Sequence, residues 1–143
     1  MIKVLPNQIP QLWDAIKYAV CSTNQLASGN KVYINTLLQD LLSDKAQCFI
    51  RTEEDNILAM IVITEISADS MTGDRTLVVK SLFSFKPVDD AVWISDMNQL
   101  IKAASNLECK KIIAHSSNPR VFDICQMLGF SERSRCFEYR LEA

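Results

Sequence analysis

Lys110 to Phe130 reads KKIIAHSSNPRVFDICQMLGF, and this stretch decides the fold. KKIIAH (110–115) is short, apolar and β-branched, the pattern of a strand inside a core. Ser116-Ser117-Asn118 break it. Pro119 suits the first turn of a helix, because the N–H it lacks is one that a helix leaves unpaired there. Val121, Ile124, Cys125 and Leu128 then recur at the helical period, and Gly129 supplies the residue that ends the helix. A strand leading directly into a helix is half of a crossover unit, so what precedes residue 110 matters most.

Upstream, a long helix is expected from Asp89 through Trp93, Met97, Leu100, Ile101 and Ala104, with Asp89 or Asp90 as its cap. Before it, residues 76–86 (TLVVKSLFSFK) form a strand stopped by Pro87. Strand, helix, strand predicts a right-handed crossover that makes 76–86 and 110–115 parallel neighbours. Residues 57–66 (ILAMIVITEI) are almost continuously apolar, as a strand buried on both faces would be. Residues 67–75 (SADSMTGDR) join it to the next strand as a hairpin, and 47–52 (QCFIRT) form the strand before it. Two helical stripes fill the first third: Ile9, Leu12, Trp13, Ile16 and Val20 behind Asn7, then Ile34, Leu37, Leu38, Leu41 and Leu42. Between them 22–30 (STNQLASGN) reads as a loop, and 2–5 (IKVL) as a short first strand. At the far end Arg135, Phe137, Tyr139 and Leu141 alternate with Cys136, Glu138 and Arg140, which predicts a terminal strand. The order is β-α-α-β-β-β-α-β-α-β. The class is α+β (mixed α/β), one domain over 1–143 around a mixed, mostly antiparallel sheet.

Of the 143 residues 48% are hydrophobic and 22% charged, the make-up of a folded domain rather than a disordered chain. Fifteen basic against 17 acidic residues give a net charge of −2, so no bulk positive field draws nucleic acid. The longest apolar run, 57–64, falls far short of the ~20 residues that span a bilayer. Pro6 and Pro10 come too early for a secretory leader. Cysteines at 21, 48, 109, 125 and 136 are odd in number and form no CxxC, and one histidine, His115, makes no zinc set. The expectation is free thiols, buried or semi-buried, in a cytoplasmic protein without metal or membrane partner. The phosphate loop GxxxxGK[ST], HExxH and GxSxG are all missing. Arg133 and Arg135 beside Phe137 and Tyr139 read as an amphipathic edge strand rather than a nucleic-acid platform.

The element order, together with Asn118 before a short helix ending Leu128-Gly129-Phe130 and with Leu82 to Pro87 (LFSFKP), resembles the GNAT superfamily of N-acetyltransferases. The resemblance is sharpest over 82–130. It implies an acetyl-CoA site at the turn after the fourth strand, where the family carries a glycine-rich stretch whose N–H groups meet the pyrophosphate. Here that turn reads Val88-Asp89-Asp90-Ala91-Val92-Trp93, without glycine or a basic residue. Two carboxylates there are expected to cap the helix themselves and to repel a pyrophosphate.

The resemblance also implies site residues. Cys125 takes the place of the family's proton-donating tyrosine, although its apolar stripe equally suits core packing. Glu65, at the end of 57–66, is the carboxylate placed to act as base, or a solvated strand end. His115 is expected near the cleft. Phe83, Phe85 and Asn118 are expected to contact CoA if it binds. Two functions follow. In the first, the chain has lost the pyrophosphate loop and takes no cofactor. It is then a non-catalytic binding or structural component with a protein partner or assembly, and resembles the GNAT-like accessory and internal virion proteins of short-tailed phages. In the second, it is a divergent acyl-CoA-dependent N-acetyltransferase acting on an amine, with acetyl-CoA as cofactor and positioning as its main device.

Overall fold

The computed structural model describes residues 1–23 and 29–141. Strand β1 (Ile2–Lys3) leads through a single 3-10 turn, Pro6–Gln8, into α1 (Ile9–Thr23). Then follow α2 (Lys31–Leu42), β2 (Ala46–Thr52), β3 (Leu58–Ala68), β4 (Arg75–Ser84), α3 (Asp90–Asn106), β5 (Lys111–Ala114) and α4 (Pro119–Met127). The strands lie in the order β1-β2-β3-β4-β5, antiparallel except for β4 and β5, which run parallel as the crossover requires. Part of the expected loop 22–30 lies outside the described residues. Thr23 already belongs to α1, and Asn30 caps α2 by accepting from the Tyr33 N–H at 3.0 Å.

The continuous apolar run of β3 has a simple cause. Ile61 and Ile63 point into one core with Ile9, Ile16 and Val20 of α1 and Leu37 and Leu41 of α2. Met60 and Val62 point the other way, against Leu77 of β4, Trp93 and Leu100 of α3 and Ile124 of α4. Both faces of the central strand are therefore dry, and each buried side chain of this size contributes about 1.5–3 kcal/mol. The one buried polar pair on β2 and β3 is satisfied: Thr64 donates to Gln47 Oε1 at 3.0 Å, and Gln47 Nε2 donates to the Asp44 carbonyl at 2.8 Å.

The terminal strand is a correction. Residues 131–141 pair with no strand among the described residues, and they are exposed throughout. Gly129, in the left-handed region at φ 89°, ends α4 as expected. Beyond it, Arg133 meets Asp69 at the β3–β4 turn. Beyond that point its charges pair within the segment, Arg135 with Glu132 and Arg140 with Glu138, both at 2.9 Å. As a result β5 lies at the sheet edge, and Ile112 and Ile113 are half-buried rather than sealed in a core. No helix among the described residues is long and apolar enough to cross a membrane.

Candidate functional site

β4 changes course at one residue. Its register with β3 runs from Ala68↔Arg75 to Thr64↔Val79, then resumes at Ile63↔Ser81, so Lys80 is a bulge. A bulge adds twist and bends the strand that carries it. The partnership with β5 ends at the same place, with Val79↔Ala114 its last pair. From Lys80 to Ser84 the edge of β4 that continues this side has no strand partner among the described residues. The two parallel strands thus part like a V.

Against the V, on the α3/α4 face, lies an apolar cavity of about 40 Å³. Val79 and Leu82 of β4, Trp93 and Met97 of α3, and Ile124 and Cys125 of α4 form much of its wall. The Trp93 indole N–H is buried without an acceptor. An orphaned donor of this kind costs about 1–3 kcal/mol.

The start of α3 lies beside it, and here the capping expectation is corrected. Asp89 holds the N-cap position with extended backbone, but its side chain makes no capping bond. Asp90 is engaged elsewhere. Arg120, from the first turn of α4, donates to Asp90 Oδ1 through Nε at 3.2 Å and Nη2 at 3.0 Å. Its Nη2 also donates to the Val88 carbonyl, and its guanidinium lies 5.9 Å from the Trp93 ring centre. The Asp89 carbonyl accepts from Val92 and Trp93, whereas the N–H groups of Asp90 and Ala91 have no acceptor among the described residues. The sequence expectation of no basic residue at this turn holds for the chain but fails in space.

The opposite face holds a polar group under α1 and α2. Glu65 of β3 lies 3.9 Å from Lys80, at the bulge. Tyr33 of α2 stands nearby: burial, then the Glu65 charge, then Cys21 push its phenol above the ordinary value. Thr23 and Ser81 share a hydrogen bond of 2.7 Å, which ties the end of α1 to β4 just past the bulge. Among the described residues no group of three or more His, Cys, Asp and Glu is gathered as a metal would need.

Glu65 and Cys125 therefore lie on opposite faces of the sheet, with the V between β4 and β5 as the passage between them. Burial pushes the Cys125 thiol upward, so it keeps its proton. His115 is exposed, one residue beyond β5. Phe83 meets Phe85 edge-to-face at 5.0 Å and Tyr18 of α1 edge-to-face at 5.7 Å, and Phe85 stacks on Tyr18 at 6.1 Å, lining the α1 side of the opening. Asn118 is spent on α4, accepting from the Arg120 N–H at 3.0 Å. Sequence reasoning missed Arg120, Lys80 and Tyr33. Arg120 left one clue: a cation in a helix's first turn opposes the dipole and calls for an acidic partner elsewhere.

No family model matches the sequence, and no curated protein matches it. Solved structures do match. Aminoglycoside 6'-N-acetyltransferase AAC(6')-Ih from Acinetobacter baumannii superposes with a TM-score of 0.71 at 12% identity, over 99% of this chain and 97% of that one. Aminoglycoside N-acetyltransferase AAC(6')-Iy in complex with CoA gives 0.68 at 15%, over 99% and 93%. A "predicted acetyltransferase" of Clostridium acetobutylicum, solved with acetyl-CoA, gives 0.70 at 14%, over 98% and 94%. The fold is that of the GNAT acetyltransferases.

Proposed function

We propose that this protein is an acyl-CoA-dependent N-acyltransferase, of the acetyltransferase kind, that acts on an amine. The observation that carries the reading is the parting of β4 from β5 at the Lys80 bulge, which opens an unpaired strand edge onto an apolar cavity beside a helix start with free N–H groups. The fold neighbours favour this reading over a non-catalytic binding or virion component.

The residues present suit a CoA thioester. The β4 edge at Lys80–Ser84 would hold amides and carbonyls of its arm, and the cavity wall its apolar portion. The Asp90 and Ala91 N–H groups, with Arg120, would face its phosphates. Asp89 opposes them, and Arg120 offsets Asp90. When bound, the group supplies an acyl carbon activated as a thioester. Glu65 stands on the other face, where a carboxylate holds an ammonium and accepts its proton. Cys125, kept protonated by burial, would serve as the proton donor on the cavity side. Positioning supplies the rest of the rate.

Calorimetry with CoA and acetyl-CoA tests the reading, followed by an amine screen with mass detection of the acylated product. Micromolar affinity and product with any amine class support it. Absence of binding at millimolar CoA retires it.

A further inference from the structure

Past the Lys80 bulge, Ser81 and Phe83 alternate onto the α1/α2 face of β4, and Phe83 packs against the core beneath α1. The Phe85 N–H donates to the Ala59 carbonyl at 2.9 Å, so pairing with β3 continues one residue beyond β4 and brings a second ring to the same side. Tyr18 of α1 touches both rings. It is 61% exposed and Phe85 38% exposed, so aromatic surface stands open to solvent at the α1 side of the opening. Aromatic groups are costly to leave in water, and these are continuous with the candidate site.

The charges around that opening are few and matched. Glu65 lies against Lys80, and Asp14, the one acid of α1, lies 3.4 Å from Lys17. The one acid of α2, Asp40, is about two turns past Tyr33. Tyr33, whose phenol burial pushes above its ordinary value, adds no charge at neutral pH. The stretch 24–30 (NQLASGN) contains no charged residue. A polycation therefore meets no negative field here. A single ammonium can still take Glu65 from Lys80, because the two stand 3.9 Å apart and about half of the lysine side chain is exposed, the geometry of a weak ion pair.

Resting on the acyltransferase reading, we propose that the acceptor is a monoamine with an aromatic body, its ammonium on Glu65 and its ring on Tyr18 and Phe85. The distance sets the length of such a molecule: Lys80, beside Glu65, is three strand steps from Phe83, about 10 Å. Glu65 meets a charge that every amine carries, so it gives affinity without choice. Selection lies in the rings, since aromatic pairs attract beyond the area they bury.

Calorimetry with 4-phenylbutylamine, butylamine and the polycation spermidine, each with and without CoA, tests the proposal. The expected result is at least ~10-fold tighter binding of 4-phenylbutylamine than of either other amine. Tyr18→Ala, altered at an exposed position, and Phe85→Ala should each erase most of that advantage, and Glu65→Gln should weaken 4-phenylbutylamine and butylamine alike. Circular dichroism confirms that each variant is folded. Equal binding of the three amines, preference for spermidine, or no binding of 4-phenylbutylamine in either condition overturns the proposal. So does an advantage that survives both ring variants, or binding indifferent to Glu65→Gln. The acyltransferase reading fails separately: it falls if CoA does not bind, whatever the amines do, and it stands if spermidine binds best and is acylated.

Discussion

Filling the apolar cavity should stabilise the protein and abolish its cofactor binding in one substitution. Cys125 lies on the wall, on the side of α4 that faces Val79, Leu82 and Trp93. Cys125→Leu extends an apolar side chain into about 40 Å³ of empty space. At ~24 cal/mol per Å³ of cavity removed, the gain is about 1 kcal/mol. Leucine's better helix propensity works in the same direction. For a chain of this size that is a rise in melting temperature of about 4 °C. CoA at a hundred times its dissociation constant would raise the unaltered protein by ~2.7 kcal/mol, or roughly 10 °C. Thermal melts with and without CoA therefore read both effects in one assay. The expected result is a higher melting point for the variant alone and no CoA shift, while Cys125→Ser, which keeps the volume, retains the shift. If Cys125→Leu melts higher yet keeps the full CoA shift, the cofactor does not use this cavity and the site is wrongly placed. A lower melting point would mean that α4 has no room to accept the side chain, and Cys125→Val then tests the same space with a smaller group.

Arg120→Ala should cost less than ~1 kcal/mol of stability, because the Asp90 pair is exposed, yet weaken CoA binding at least ~10-fold through loss of a charged donor. Asp90→Asn should tighten it, and calorimetry on both variants reads the sign. Asp69 is held well below the usual carboxylate range, first by the Met71 N–H, then by Arg133 and Lys111. A depressed carboxyl contributes stability that is complete above its unfolded pKa, about 4, and is lost as pH falls below it, so Asp69→Asn should flatten the acid limb of the urea midpoint against pH. Thiol labelling should proceed first at exposed Cys136 and last at Cys48, which is buried and pushed up to about 12.

Most of the fold was legible because its elements carry their own signals. The doubled apolar face of β3, the Pro119 and Gly129 punctuation of α4, and the parallel strands implied by the α3 crossover are local or nearly local patterns. The terminal segment misled because alternation states only that a strand can form, not that an edge is available to it. Asp69 draws Arg133 away across 64 residues, and no periodicity reports that contact. The candidate site was legible in part. Cys125, named through the family resemblance, lies in the cavity wall, while Glu65, named the same way, lies on the far face. The Lys80 bulge was invisible, since one extra residue in a strand leaves the same composition.

The start of α3 shows how far a motif's absence can be taken. A glycine-rich turn serves a pyrophosphate by exposing N–H groups without side chains in the way. Asp89 and Asp90 in its place suggest that those N–H groups are capped and that two anions guard them. In space neither carboxylate caps the helix, and Arg120 arrives from the next helix to compensate one of the two. What remains against a phosphate is the single charge of Asp89 and the bulk of three side chains. That is a penalty in affinity rather than a closed site, since one exposed charge is screened over a Debye length of about 8 Å at physiological salt. On the proposed reading the turn would still serve a phosphate without its glycines so long as Arg120 stays on Asp90, and the opposite responses expected of Arg120→Ala and Asp90→Asn follow from that one pair.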